Sequence, residues 1–441
     1  MIAAANSPKV SAPQKVAVIG AGAAGIAAAW MLQQRHHVTL IEQRERLGGH
    51  VHTVVIPDGP DAGTPVDTGF IVMNDRNYPI FTRFLERLDV PVADSDMSFA
   101  FACRRTGFEY NGSSMSTLFA RRRNLASPRF LLMLRDILRF NKQARADLPA
   151  LQTLGPSGHD QSLGDYLDRF GFRSPIIEHY IVPMGAAIWS TSMAKMMHFP
   201  ARAFIQFFDN HGLLSVNDRP QWKYLPGGSK TYVDTFERAF RKAGGDIRTG
   251  VSLRGVRRSA NENHVELRHA DGATESFDQV VIATHADQAL ALLEDPSPDE
   301  RALLGAWEYS HNRTVLHRDA ERMPRRRKAW ASWNVIRRPD ADDEQPVHLT
   351  YHMNRLQQID SRSPYFVTLN DPTPWRDETV VREMDYLHPL YTSASFATQP
   401  RLAELNGSRH TWFAGAYHGY GFHEDAIRSG MQVGEALGGV L

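Results

Sequence analysis

The chain has 441 residues, 42% of them hydrophobic and 22% charged, so it is long enough for two domains with their own cores. The 50 Lys and Arg residues and 49 Asp and Glu residues leave a net charge of +1, which argues against a dedicated nucleic-acid binder. The single cysteine, Cys103, excludes an internal disulfide and a cysteine-rich metal site and favours a reducing compartment. No apolar run approaches the ~20 residues that span a bilayer, and the leader lacks the pattern of a signal peptide, so we expect a cytoplasmic protein.

The first strong pattern is the segment KVAVIGAGAAGIAAAWMLQQRHHVTLIEQ. A β-branched run, a GxGxxG motif at Gly20, Gly22 and Gly25, an Ala-rich helix and a second strand together predict a βαβ unit. Gly20 permits the tight turn, Gly22 lets a pyrophosphate approach the backbone, and Gly25 lets the helix pack closely on the strand. A carboxylate at the end of the second strand can accept hydrogen bonds from ribose hydroxyls. The segment therefore predicts a dinucleotide site that contains Gly20, Gly22, Ala23, Ala24, Gly25, Glu42 and Gln43.

A second glycine pair follows in RERLGGHVHT, and VDTGFIVMN comes shortly after it. An NAD domain needs no such pair, whereas the fingerprint, the R-x-G-G doublet and the D-x-G segment together resemble the FAD-binding amine-oxidase superfamily. That superfamily includes monoamine oxidases, carotenoid desaturases and a flavin-dependent fatty-acid isomerase. The resemblance implies noncovalent FAD, with the doublet along its ribityl-phosphate side. The implied contacts are Gly48, Gly49, His50, Thr68 and Gly69, although the usual residue at the position of His50 is arginine.

The middle of the chain fits the same resemblance. QWKYLPGGSKTYVDTFERAF predicts a turn into a helix, and the residues from GGDIRTG to VVIATHADQ predict successive short strands. The resemblance implies that the backbone of Val251 meets the adenine and that Thr284 ends a strand that returns to the cofactor. An ordinary β-meander would explain the alternation but not its place between two FAD segments.

Near the end of the chain, TWFAGAYHGYGFHEDAIRSG predicts a strand, a glycine-rich turn and a helix that begins near Glu424. The resemblance implies that this helix points its N-terminus at the pyrimidine edge of the flavin, where its dipole stabilises negative charge. Glu424 and Asp425 then cap the first turn, and we expect no metal because adjacent residues do not easily converge on one ion. The implied cofactor contacts are Gly415, Phe422, His423, Glu424 and Ala426, and Ala416 replaces an acidic residue often found there.

The overall prediction is an α/β protein with a Rossmann-like FAD-binding domain and a discontinuous α+β substrate domain. We assign residues 12–74, 215–300 and 401–441 to the FAD-binding domain, and residues 75–214 and 301–400 to the substrate domain. We expect residues from about 75 to 215 to be helical. We expect residues from about 301 to 400 to mix strands with long loops.

The predicted substrate domain contains an aromatic helix face and a basic helix. Phe204, Phe207 and Phe208 share one helical face, and Ile188 and Trp189 precede them; the set indicates either core packing or an apolar tunnel for substrate. The segment SPRFLLMLRDILRF mixes bulky apolar residues with arginines after a Ser-Pro start. It is either an ordinary helix of the domain or a helix that dips into the inner face of the membrane, where Arg121 to Arg123 would meet lipid phosphates.

Four further motifs, GYGFHEDAIRSG, MPRRRKAWASWN, LTYHMNRLQ and FDNHGLL, resemble a flavoprotein group of which one branch is fused in plants to cyclopropane-fatty-acid synthases. This resemblance runs from about residue 15 to the C-terminus and implies a lipid substrate. We therefore predict an FAD-dependent oxidoreductase that removes hydrogen from an unsaturated or methyl-branched acyl chain of a fatty acid or phospholipid. No aromatic pair of the kind that an amine substrate would require is evident in the sequence. Hydride would pass to flavin N5, and oxygen would reoxidise the flavin. The candidate bases are His211, Tyr351, His352, His423 and Glu424.

Three alternatives stay open at this point. The protein could be a redox-neutral double-bond isomerase, an amine oxidase, or a non-enzymatic FAD-bearing partner of a lipid methyltransferase. Net oxidation of the product separates the dehydrogenase from the isomerase, and turnover of an amine identifies the amine oxidase.

Overall fold

A computed structural model describes residues 12–153, 161–215, 218–258 and 264–440. The strands, in chain order, are β1 Lys15–Ile19, β2 His37–Ile41, β3 Thr53–Val55, β4 Pro65–Asp67, β5 Met73–Asn74, β6 Ala93–Asp94, β7 Phe99–Cys103, β8 Phe108–Asn111, β9 Trp222–Tyr224, β10 Asp246–Arg248, β11 Leu253–Arg258, β12 Val265–His269, β13 Thr274–Phe277, β14 Gln279–Ile282, β15 Glu308–His317, β16 Trp333–Arg337, β17 Leu349–His352, β18 Phe366–Leu369, β19 Val380–Leu390 and β20 Thr411–Phe413.

The α-helices, in chain order, are α1 Ala23–Leu32, α2 Pro79–Arg87, α3 Met115–Leu118, α4 Pro128–Thr153, α5 Leu163–Arg169, α6 Val182–Ile188, α7 Met193–Met197, α8 Ala201–Asn210, α9 Lys230–Lys242, α10 Ala286–Leu292, α11 Pro298–Leu304, α12 Met353–Leu356, α13 Ser393–Leu402 and α14 His423–Ala436. Short 3₁₀ turns connect several of them, including Arg122–Ala126 before α4 and Arg327–Ala329 before β16.

A five-stranded parallel sheet forms the centre of the predicted FAD-binding domain, with the strand order β10-β2-β1-β14-β20. The three inner strands β2, β1 and β14 are almost wholly buried, as expected where helices cover both faces of a parallel sheet, and the edge strand β10 is partly exposed. The βαβ unit predicted at β1-α1-β2 is confirmed, as are the helix after the Pro-Gly-Gly turn (α9) and the last helix (α14). The α/β class with a Rossmann-like FAD-binding fold is therefore correct.

Small residues bring α1 and α14 into close contact. The alanines of α1 are buried, and a Cβ at Gly430 would lie 2.1 Å from the carbonyl oxygen of Ala24. A Cβ at Gly434 would lie 2.3 Å from the Cβ of Met31. The helix that follows the first glycine motif and the last helix of the described chain are thus packed backbone to backbone.

A seven-stranded mixed sheet, ordered β19-β15-β18-β17-β16-β7-β8, dominates the rest of the molecule. Its strands β7 and β8 correct the expectation that residues from about 75 to 215 are helical. Phe99–Cys103 pairs in parallel with Trp333–Arg337 and antiparallel with Phe108–Asn111, so a hairpin joins the sheet edge. The helices α4 to α8 that follow pack into one apolar core. The domain boundaries themselves stay a prediction.

Candidate functional site

The first glycine turn closes tightly between β1 and α1. The backbone N–H of Gly20 donates to the carbonyl oxygen of Ile41 at 2.8 Å, and Gly20 has a positive φ of 96°. A Cβ at Gly25 would lie 1.8 Å from the carbonyl oxygen of Gly20. Both positions therefore require glycine for the fold itself, since a side chain at either one would push the helix from the strand.

Gly22 requires glycine for a different reason. It is the N-cap of α1, it provides no side-chain cap, and its φ of −75° suits any residue. A Cβ at Gly22 would meet no protein atom within 4 Å, whereas a Cβ at Gly49 would lie 3.2 Å from the Cα of Gly22. The two glycine motifs thus flank an open space at the N-terminus of α1, where free N–H groups and the helix dipole favour an anion. This arrangement fits the diphosphate of a dinucleotide.

Glu42 stands at the end of β2 and is nearly buried. Its carboxylate accepts hydrogen bonds from the backbone N–H of Ala21 at 2.8 Å and of Arg44 at 2.9 Å. The N–H of Val251 donates to the backbone carbonyl of Glu42 at 3.0 Å, so the two residues predicted to meet the adenosine lie side by side. Each carboxylate oxygen keeps a second lone pair for a ribose hydroxyl. Gln43 is exposed next to Glu42.

Arg46 holds the second glycine pair in place, a role that the sequence analysis missed. Its guanidinium donates to the carbonyl oxygens of Gly49 at 2.8 Å and Val51 at 2.9 Å. The N–H of Gly48 donates to the carbonyl oxygen of Ala21 at 2.8 Å, which ties the pair to the first glycine turn. The arginine of the R-x-G-G pattern could have indicated this role. A guanidinium carries five N–H donors and can bind several carbonyl oxygens of one backbone turn.

His50 lies in a cluster of histidine and tyrosine rings. Its ring centroid is 5.7 Å from that of His285, 5.6 Å from that of His388 and 5.4 Å from that of Tyr386. Burial lowers the pKa of His50 to about 3, that of His388 to about 3 and that of His285 to about 4. His50, where the resemblance implies an arginine, is therefore a neutral imidazole at pH 7, as are His285 and His388 beside it. Sequence reasoning missed His285 and His388 because separate elements contribute them.

The D-x-G segment connects the glycine motifs to the rest of the structure. Thr68 donates from Oγ1 to the carbonyl oxygen of His52 at 2.9 Å, and the hydroxyl of Tyr386 lies 2.8 Å away. A Cβ at Gly69 would lie 2.0 Å from the carbonyl oxygen of His50. Asp67 is fully buried and accepts from the backbone N–H of Ser229. In the structure these residues hold neighbouring backbone segments together, and their predicted contact with FAD stays a prediction.

Side chains of α14 hold the glycine-rich turn that precedes this helix. The N–H of Gly415 donates to Oγ of Ser429 at 2.9 Å, which fixes the turn against α14. Asp425 accepts from the N–H groups of Tyr420 and Phe422, as expected for a cap. A Cβ at Gly415 would lie 3.2 Å from the carbonyl oxygen of Thr284, so the predicted end of β14 meets this turn. Ala426 is buried in the first turn of α14.

Glu424 was expected to cap the first turn of its own helix, and it caps α2 instead. Its two carboxylate oxygens accept hydrogen bonds from the N–H groups of Ile80 at 3.0 Å and Phe81 at 2.9 Å, at the start of α2. Burial raises the pKa of Glu424 above its usual value. Both oxygens therefore cap another helix, which gives the side chain a structural role. Its predicted contact with FAD and its role as a base stay predictions.

His423 is packed rather than free. Its ring stacks on Phe70 with centroids 3.9 Å apart, and its Nε2 lies 2.9 Å from the hydroxyl of Tyr232. Burial lowers the pKa of His423 to about 3. The side chain is therefore neutral, stacked and hydrogen-bonded at the N-terminus of α14. Because its Nε2 already has a partner, His423 is a weaker candidate base.

The aromatic residues of α8 separate into two groups. Phe204 and Phe208 are fully buried and stack on each other with centroids 4.1 Å apart, as expected for core packing. Phe207 faces a different neighbour, because its ring stacks on Phe422 with centroids 4.9 Å apart. Trp189 contacts Phe207 with centroids 4.8 Å apart, and Ile188 is half-buried beside it. Phe207 thus connects α8 to Phe422, the residue that precedes α14.

His211 follows α8 and lies at this connection. Its ring stacks on Phe207 with centroids 3.8 Å apart and is 5.8 Å from the ring of Phe422. Its Nδ1 lies 3.0 Å from the carbonyl oxygen of Phe207, and among the described residues its buried Nε2 has no hydrogen-bond partner. Burial lowers the pKa of His211 to about 4. Donation from Nδ1 fixes the tautomer in which Nε2 is a free acceptor.

Tyr351 and His352 belong to β17 in the seven-stranded sheet. The ring of Tyr351 contacts Trp333, and that of His352 contacts Trp330 and Phe366, all with centroids between 5.0 and 5.6 Å apart. Burial lowers the pKa of His352 to about 4. Tyr351 and His352 thus contact other residues of the seven-stranded sheet and its connections, whereas His211 lies near Phe422.

Two absences apply to the described residues only. In those ranges no three His, Cys, Asp or Glu side chains are arranged to hold a metal ion. No α-helix of the described ranges combines the length and apolar character that crossing a bilayer requires.

Comparison with known proteins gives the same fold. A family model for flavin containing amine oxidoreductase matches residues 23–316. A segment of 86 residues is 41% identical to an FAD-dependent oxidoreductase of Emericella nidulans, and this match spans 19% of the chain and only 17% of that relative's length.

Two solved structures are similar over nearly the whole chain. A CLA-producing fatty acid isomerase from P. acnes has a TM-score of 0.67 and 15% identity, with 97% of this chain and 99% of that chain covered. Cyclohexylamine oxidase from Brevibacterium oxydans has a TM-score of 0.67 and 12% identity, with 96% and 98% covered. At these identities the similarity shows a shared fold.

Proposed function

Because the chain belongs to the flavin-containing amine oxidoreductase family and has FAD as its cofactor, we propose that it dehydrogenates a long unsaturated or methyl-branched acyl chain bound against Phe207 and Phe422. The observation that carries this proposal is the stack of Phe207 on Phe422, whose centroids are 4.9 Å apart. It joins an apolar aromatic helix to the residue that precedes the helix predicted to face the flavin. FAD supplies the hydride acceptor for this chemistry when it is bound.

The surrounding groups favour an apolar chain over an ammonium group. Phe422 and Tyr420 are partly exposed aromatic residues backed by the buried rings of Phe207 and Trp189, and burial of each CH₂ against such a surface is worth about 0.8 kcal/mol. The two carboxylates of the turn, Glu424 and Asp425, already accept backbone N–H groups. Arg428 also pairs with Asp425 at 2.9 Å and lies 3.9 Å from Glu424. A cationic amine would therefore compete with Arg428 for these carboxylates, and a buried charge without a partner is costly.

His211 supplies the base in this proposal. Its neutral Nε2 has no partner among the described residues and stands beside Phe207 and Phe422. A substrate carbon held over Phe422 would lose its proton to this nitrogen, and the bond from Nδ1 to the carbonyl oxygen of Phe207 would stabilise the resulting imidazolium. The side chains around it exclude water and hold the acyl chain in one orientation.

An isomerase is the second candidate, because the fold matches that of a fatty acid isomerase from P. acnes. Both reactions would use the same acyl-chain surface, and they differ in whether the substrate is oxidised overall. A dehydrogenase consumes an electron acceptor in proportion to product, whereas an isomerase does not. We propose molecular oxygen as that acceptor, with release of hydrogen peroxide as the readout. A methyltransferase that prepares the methyl-branched chain stays a proposal.

The decisive experiment is anaerobic mixing of the purified yellow protein with candidate substrates. An unsaturated or methyl-branched acyl lipid should bleach the flavin absorbance, and monoamines and polyamines should leave it unchanged. Phe207→Leu should slow bleaching by about tenfold, since a lost aromatic contact is worth about 1 kcal/mol or more. Phe172→Leu removes an equally buried ring from the packing of α4 and is the matched control.

Two results would contradict the proposal. Rapid bleaching by an amine, with acyl lipids inert, would identify an amine oxidase. Equal slowing in the Phe207 and Phe172 variants would show that the effect of Phe207 is structural.

A further inference from the structure

An apolar and strongly basic surface lies beside the substrate domain's helices. Eight large hydrophobic side chains are exposed in the described residues, and five of them fall between residues 115 and 138. We call this surface the basic-apolar face and define its apolar part by those five side chains: Met115, Leu125, Leu131, Leu132 and Leu138. Exposed apolar groups concentrated in one part of a surface mark an interaction site.

The outward side of α4 shows why these leucines are not core residues. Phe130, Met133 and Phe140 of the same helix are fully buried, so the inward face of α4 is complete without them. Leu131 and Leu138 are seven residues apart and therefore lie on one side of the helix, and they are 46% and 58% exposed. Arg135, Arg139 and Lys142 are exposed on the same helix, and their long side chains can reach past the leucines.

Neighbouring elements extend the charge. The turn Arg122–Ala126 packs against α4, and the turn Arg327–Ala329 packs against α3 and β8. The exposed cations on these connections are Arg122, Arg123, Arg325, Arg326, Arg327 and Lys328. Phe119, after α3, contacts Phe130 of α4 with ring centroids 5.7 Å apart, so the segment that follows α3 packs against α4.

The carboxylates close to this face do not neutralise it. Glu109 is buried and pairs with Arg326. Asp136 is buried in α4, pairs with Arg135 at 3.0 Å and lies 3.9 Å from Arg139. Glu178 pairs with Arg129 at 3.2 Å. The remaining arginines and lysines therefore give the face an excess of positive charge around exposed leucines.

From this arrangement we propose that the basic-apolar face docks the protein on the surface of an anionic phospholipid bilayer. The leucines of α4 and Met115 insert between headgroups, and the surrounding arginines and lysines pair with lipid phosphates. Bilayer insertion to a depth of about 5–10 Å buries such side chains without any spanning helix, and each cation near an anionic surface adds about 1 kcal/mol. A nucleic acid would use the cations but would leave the leucines unburied. The proposal does not depend on the substrate class, because it concerns binding in the absence of turnover.

The test is flotation of the full-length holoprotein with vesicles. We expect the protein to float with vesicles of phosphatidylcholine mixed with phosphatidylglycerol, to float far less with phosphatidylcholine alone, and to be released as salt rises. The double variant Leu131→Gln/Leu138→Gln keeps the charge and should lower the partition coefficient by about tenfold or more. Arg122→Glu/Arg123→Glu should lower it at least as much.

Matched controls separate the face from general effects. Val55→Gln removes an exposed apolar side chain elsewhere, and Arg83→Glu/Arg238→Glu makes the same change in net charge on α2 and α9; both should float like the unaltered protein. Retention of FAD absorbance shows that each variant is folded. Absence of flotation with anionic vesicles, or flotation that the leucine variant leaves unchanged, would overturn the proposal. Duplex DNA that competes equally well with vesicles would assign the face to nucleic acid instead.

Discussion

Gly22 shows how an empty space can identify a ligand. A glycine that no protein atom crowds, and whose φ of −75° any residue can adopt, has no structural reason to be glycine. Gly25, in the same motif, is the opposite case, because a Cβ there would collide with the backbone of Gly20. The contrast assigns Gly25 to the fold and supports the prediction that Gly22 lies beside the diphosphate.

The first prediction follows from that contrast. Gly22→Val should give a folded protein that has lost its yellow colour, because the branched side chain fills the space of the diphosphate. Flavin absorbance after gel filtration and the thermal melting curve measure the two properties. Gly112→Val, at a second glycine where a Cβ meets no atom within 4 Å, should keep the flavin. Full flavin occupancy in the Gly22 variant would show that the diphosphate lies elsewhere.

The second prediction concerns His211. His211→Asn keeps a polar side chain but removes the basic Nε2, and we expect anaerobic flavin reduction to slow by about 100-fold or more. Because burial lowers the pKa of His211 to about 4, the unaltered protein should reduce its flavin at a rate that is constant near neutral pH and begins to fall as pH approaches 4, over the pH range in which the protein stays folded with its flavin bound. The asparagine variant should lose that pH dependence. An unchanged rate and profile would remove His211 from the mechanism.

At the scale of elements, Glu424 links two helices. It is the first-turn residue of α14, and its carboxylate caps the N-terminus of α2 through Ile80 and Phe81. A negative charge at that position satisfies two N–H groups and also interacts with the helix dipole. The contact holds the helix predicted to face the flavin against α2.

The third prediction tests that assignment. Glu424→Gln should lower the free energy of unfolding by about 1 kcal/mol, since one cap bond and the charge are lost, while the rate of flavin bleaching changes little. Chemical denaturation and anaerobic mixing give the two measurements. Glu86→Gln, at an exposed position of the same α2, is the control. Loss of bleaching without loss of stability would restore Glu424 as a base.

Local sequence determined which elements were predictable. The β1-α1-β2 unit and α14 follow from glycine spacing and apolar runs within about 30 residues, and both are present. The hairpin β7-β8 was missed because its strand character depends on pairing with β16, which is far away in sequence. The glycine positions of the site were predicted for the same local reason. Arg46, His285 and His388 were not, because burial and ring contacts between distant segments define their roles.

At the scale of the whole molecule, the buried histidines make the fold sensitive to acid. The pKa values of His50, His388 and His423 are lowered to about 3, and those of His211 and His285 to about 4, in each case first by burial. In the unfolded chain these imidazoles take up protons near pH 6.5. Below that pH the unfolded state binds more protons than the native state, so native stability is lost as pH falls from about 6.5 toward 4.

The fourth prediction is therefore a steep loss of stability over that range, by up to about 1.4 kcal/mol per pH unit for each such histidine. Denaturant titrations at successive pH values measure it. His50→Gln should make the slope shallower, whereas His311→Gln, at an exposed histidine paired with Asp385, should leave the acid-range slope nearly unchanged. A stability that stays constant between pH 6.5 and 4 would show that these histidines are accessible to protons in the native state.

The close packing of α1 and α14 has a consequence for biosynthesis. The first of these helices begins at Ala23 and the second at His423, and Gly430 brings the two backbones together. On a ribosome, α1 and its glycine turn emerge long before their packing partner is made. The packing of α1 on α14 can form only after α14 has left the exit tunnel. With α14 facing the flavin as we predict, capture of the cofactor should follow translation of nearly all the described residues. Until then the apolar residues of α1 that pack on α14 lack their partner, and we expect the nascent chain to be most prone to aggregation during this interval.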